Sequence, residues 1–61
     1  MRVLELSEAQ QRRVFEWTAA KAQEVAQENG WELNAQQTAS IGLWRWKDLS
    51  EDEQQAIAGE P

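Results

Sequence analysis

The chain has 61 residues and a net charge of -5, with no cysteine, histidine or tyrosine. That length allows one domain, which buries only roughly 60% of its unfolded surface. The composition excludes disulfides and thiolate metal sites, and it removes the usual proton shuttle and transition-metal ligand near neutral pH.

Stability must then come from dense packing or self-association. Four tryptophans suit that need, because one buried aromatic removes about 150–250 Å² from water. The first residues, Met1-Arg2-Val3-Leu4-Glu5-Leu6, do not read as a signal peptide. No apolar run approaches the roughly 20 residues of a membrane span. A cytoplasmic, non-membrane protein is the expectation.

Three helix starts are written in the sequence. Ser7 is placed to cap a helix, with Gln10 at its third position, the arrangement of a capping box. Helix formers follow to Glu28, and Asn29-Gly30 supplies a left-handed stop. The first helix is predicted over residues 8–28. Trp31-Glu32-Leu33 forms a short connector. Asn34 and Gln37 repeat the start signal and predict a second helix over 35–47. Gly42 weakens it by about 1 kcal/mol against alanine, so an extended reading of 41–47 is the alternative. Val3-Leu4-Glu5-Leu6 would then pair with it as a strand, giving an α+β fold. Ser50 and Glu53 make the third start, with acids where the helix dipole favours them. The third helix is predicted over 51–58, closed by Gly59, with 59–61 a frayed tail. The expectation is therefore an all-α single domain, residues 1–61, of about three short helices.

Helical spacing separates the faces. In the first helix Val14, Phe15, Thr18, Ala19, Ala22, Val25 and Ala26 share one stripe, the predicted core face. Trp17 lies off it, beside Arg13, Ala20, Lys21 and Glu24. In the second helix Ala35, Ala39, Gly42, Leu43, Trp46 and Leu49 share a face. Ile41 and Trp44 point elsewhere. Apolar side chains off the core face, rimmed by charge, are what docking surfaces are made of, and tryptophan and arginine are enriched at their energetic centres. Trp17, Ile41, Trp44 and Arg45 are thus the candidate partner-binding residues. The bland reading of "IGLWRWKDL" (41–49) keeps Trp46 in the core, Trp44 half-buried and Arg45 over an indole.

Charge narrows the function classes. Residues 1–47 carry six acids and six bases, so the whole excess sits in 48–61, in Asp48, Glu51, Asp52, Glu53 and Glu60. Asp48, Glu51, Asp52 and Glu53 are the candidate residues for steering the chain to a basic partner surface. Nucleic acid is disfavoured by this balance, since phosphate contacts dominate such affinity. The alternative of a nucleic-acid-associated protein would use Arg12, Arg13, Arg45 and Lys47. An anionic lipid surface is disfavoured by the acids that follow Lys47. No nucleophile–base constellation is visible, and the acids at 51–53 lack the alternation and glycine of a calcium loop. No catalytic residue, metal or cofactor is expected. The sequence therefore reads as a small acidic non-catalytic protein that binds another protein as regulator, adaptor or inhibitor, in one version as a homodimer. A non-catalytic subunit of a larger complex is the third reading.

Overall fold

The computed structural model describes residues 5–61. They form three helices, α1 (Glu8–Asn29), α2 (Ala35–Lys47) and α3 (Glu51–Ala58), and no strand occurs among them. The all-α expectation holds. Residues 41–47 are helical, which removes the α+β alternative. Its proposed partner strand lies mostly outside the described residues.

Each helix starts at a complete capping box. Ser7 Oγ accepts from the Gln10 N–H at 3.2 Å, and Gln10 Oε1 accepts from the Ser7 N–H at 3.0 Å. Asn34 with Gln37 and Ser50 with Glu53 do the same. In each case two backbone groups with no intrahelical partner are satisfied reciprocally. α1 stops at Gly30, whose φ of 69° and ψ of 30° are left-handed. The Trp31 N–H then donates to the Ala26 carbonyl at 2.8 Å, closing the helix end as a Schellman turn does.

α1 and α2 form an antiparallel hairpin, and α3 packs against α1. The hairpin is tight because of Gly42. A Cβ built there would lie 2.5 Å from the Thr18 carbonyl oxygen and 2.8 Å from the Thr18 Cβ. Glycine at this crossing lets the two backbones approach; the helix-propensity cost read from the sequence is offset by that packing. The contact fixes the register, with position 42 opposite 18.

The core is small. Val14, Trp46 and Ala58 are buried together, with Leu6, Trp17, Leu49 and Ile57 partly buried against them. Trp46 is 2% exposed. Ala22 and Ala26 are buried further along the hairpin. Among the described residues no helix is long and apolar enough to cross a membrane.

α3 has only eight residues, and polar bonds help set its position. Arg13 Nη1 donates to the carbonyls of Ala58 at 2.7 Å and Glu60 at 2.6 Å. Gln10 Nε2 donates to the Gly59 carbonyl at 2.8 Å. At the other end Gln54 Nε2 donates to the Trp46 carbonyl at 2.9 Å. The cationic Arg13 thus meets the negative end of the α3 dipole, and the buried Gln10 and Gln54 are both bonded. The Gly59 and Glu60 carbonyls are thus both hydrogen-bonded to α1 side chains.

Candidate docking surface

The predicted core stripe of α1 is corrected at one side. Val14, Ala22 and Ala26 are buried, but Phe15 is 74% exposed. The reason is where α3 docks. Arg13 and Trp17 face it, and Phe15 stands two residues from each, about 160° round the helix axis. No element of the described chain covers that side. Leu43, predicted inward, is 45% exposed for the same reason.

The result is an open groove of about 490 Å³ between α1 and α2. From α1 it is lined by Gln11, Val14, Phe15, Thr18 and Ala19. From α2 come Ala35, Thr38, Ala39, Leu43 and Trp46. None of these side chains is charged, in a chain that is 28% charged overall. Trp46 and Val14 belong both to the buried core and to the groove lining, so the exposed face is continuous with the core.

No known protein family, curated protein or solved structure matches this chain. The functional reading rests on the geometry alone.

The sequence-predicted partner residues divide into three groups. Trp17 is half-buried on the α3 side. Its ring meets the Trp46 ring edge-on, centroids 5.7 Å apart and planes at 68°, a favoured aromatic geometry. Lys21 Nζ sits 5.8 Å from the Trp17 centroid and pairs with Glu24 at 3.0 Å. Trp17 is therefore a core-edge residue with a cation over its outer face.

Trp44 is 58% exposed, and the Arg45 guanidinium carbon lies 5.6 Å from its ring centroid. Such a pair is worth about 0.5–1 kcal/mol at the surface. Ile41 is half-buried and lines a second hollow, about 700 Å³, with Trp31 and Leu33. Trp31 is itself 53% exposed. Trp44 and Ile41 lie outside the groove, on the outer side of α2.

The acidic candidates gather at the α2–α3 corner. Asp48 caps α2, and Glu51, Asp52 and Glu53 form the first turn of α3. Glu53 is engaged in its capping box, and all four are exposed. Of the bases named for nucleic acid, Arg13 is committed to α3 and Arg45 to Trp44.

Sequence reasoning missed Phe15 and Leu43. Both satisfied helical periodicity as core positions, and only the side on which α3 docks exposes them. Thr18, the polar member of the predicted stripe, was a signal that one edge of it lines an open groove.

Proposed function

We propose that this chain is a small non-catalytic binding protein, a regulator, adaptor or inhibitor that acts by contact with a protein. Its principal contact surface is the uncharged face between α1 and α2. The observation that carries the reading is Phe15, which is 74% exposed at the edge of a groove with no charged lining. A phenylalanine held in water by a folded helix forgoes a large part of its burial free energy, of order 1.5–3 kcal/mol. A partner recovers it. Exposed apolar faces of this kind mark interaction sites in soluble proteins.

The outer face of α2 is a second, more polar contact. Trp44 and Arg45 supply the residue types that concentrate binding energy, and Asp48, Glu51 and Asp52 add a field that favours a basic surface. Steering by these acids acts on the association rate and weakens with salt.

Affinity capture with the full chain tests the reading, using wild type beside Phe15→Glu, Leu43→Glu and Trp44→Ala. Proteins retained by wild type and lost from the Phe15 and Leu43 variants, with helical circular dichroism unchanged, fit the groove as the contact. Retention of every protein by both groove variants rejects it. Selective loss with Trp44→Ala would move the contact to the outer face of α2.

A further inference from the structure

We infer that the occupant of the α1–α2 groove is a second copy of this chain, packed antiparallel and face to face to form a four-helix bundle. This rests on the preceding reading of the groove as the contact face and adds the identity of the partner.

Charge distribution is the first argument. A net charge of -5 opposes self-association unless the acids lie away from the contact. Residues 1–47 are neutral in sum. Glu60 follows the C-terminal end of α3, which Gln10 and Arg13 hold on the other side of α1 from Phe15, and Asp48, Glu51, Asp52 and Glu53 sit at the α2–α3 corner, none of them in the groove lining. The groove itself has no charged lining. Two such linings meet without burying a charge, whereas an oppositely charged partner would find nothing in the groove to pair with.

Shape is the second argument. Because position 42 lies opposite 18, the groove has two unlike halves. Phe15, Leu43 and Trp46 fill the half near the α1 N-terminus. Ala35 and Ala39 line the other, with Ala22 and Ala26 buried beside them. A two-fold axis across the middle of the hairpin, near Ala19, sets the bulky half of one copy on the small half of the other. Phe15 of each copy then sits over the alanines of its partner. That is an isologous contact, closed at two copies, with large side chains entering small-residue holes as in helix bundles.

Area is the third. α2 rises about 20 Å, and two packed helices are about 20 Å wide, a footprint of about 400 Å². That footprint lies below the roughly 600 Å² per partner at the small end of specific interfaces, so the contact is a weak one. The dimer is therefore expected to be concentration-dependent.

Sedimentation of the full chain over a concentration series is the test. Wild type is expected to move from the 7.0 kDa chain mass to twice that mass. Phe15→Glu and Leu43→Glu should weaken self-association by at least about tenfold while keeping helical circular dichroism; Phe15→Ala and Leu43→Ala serve if either glutamate unfolds the chain. The absence of native cysteine allows a test of orientation. Mixed Phe15→Cys and Ala35→Cys chains should form the heterodisulfide in preference to either homodisulfide. Wild type monomeric up to its solubility limit overturns the second copy. So does a dimer indifferent to both glutamates, and a dominant Phe15→Cys homodisulfide overturns the antiparallel packing. A monomer whose captured proteins are still lost on Phe15→Glu would reject self-association alone and leave the binding reading standing.

Discussion

Gly42 lies directly against Thr18 across the α1–α2 hairpin: a Cβ on Gly42 would stand 2.5 Å from the Thr18 carbonyl oxygen. The obstacle is backbone, which a rotamer change cannot clear. In an open helix Gly→Ala stabilises by about 1 kcal/mol. Here the hairpin must splay, and overpacking of this kind costs about 1–3 kcal/mol. Gly42→Ala is expected to lower the urea midpoint by the equivalent of about 1–2 kcal/mol. A raised midpoint would show that the crossing has room.

Arg13 carries a second relationship, between α1 and the end of α3. Its guanidinium donates to the carbonyls of both Ala58 and Glu60. Charge-assisted bonds are worth about 1.5–3 kcal/mol when sheltered, and less at an exposed side chain such as this one. Arg13→Ala is expected to cost about 1 kcal/mol and to speed hydrogen exchange in α3 before it affects α1. Equal acceleration throughout both helices would mean that α3 is not a separately opening unit.

The caps and helix ends were legible because they are local. Ser7 with Gln10, Asn34 with Gln37 and Ser50 with Glu53 need only residues three apart. Trp44 was legible as an outward residue because it stands two positions from the core Trp46, on the far side of a helix. The side of the hairpin that α3 covers was not legible. An eight-residue helix fits either side by periodicity, and the choice shows in side-chain-to-backbone bonds spanning the chain, from Gln10 to Gly59 and from Arg13 to Ala58. That choice decides that Trp17 is sheltered and Phe15 is bare, reversing the order that helical spacing suggested. Trp31 escaped for a different reason: it lies in a connector, where periodicity assigns no face.

Ser50 is expected to matter more than an average surface serine. α3 is too short to persist alone, and its hydroxyl accepts from the Glu53 N–H at the helix start. Ser50→Ala should cost about 1 kcal/mol, with the loss concentrated in α3 amide protection. Ser50→Asp should retain most of the stability, because aspartate caps equally well. If alanine and aspartate behaved alike, the cap would not be holding the helix.

The four tryptophans should separate cleanly by accessibility. Trp46 is 2% exposed, whereas Trp31 and Trp44 are 53% and 58% exposed. Acrylamide, being neutral, reports access without interference from the chain's charge. Trp44→Phe and Trp31→Phe are each expected to remove part of the readily quenched, red-shifted emission and to change stability by less than about 0.5 kcal/mol. Trp46→Ala should cost about 3–5 kcal/mol, a large share of the roughly 3–9 kcal/mol expected for a chain this size. Its far-ultraviolet signal should therefore fall markedly at room temperature. Trp17→Phe lies between, since it keeps an aromatic edge against Trp46 but loses area beneath Lys21. A folded Trp46→Ala chain with native thermal stability would show that the core does not centre on Val14, Trp46 and Ala58.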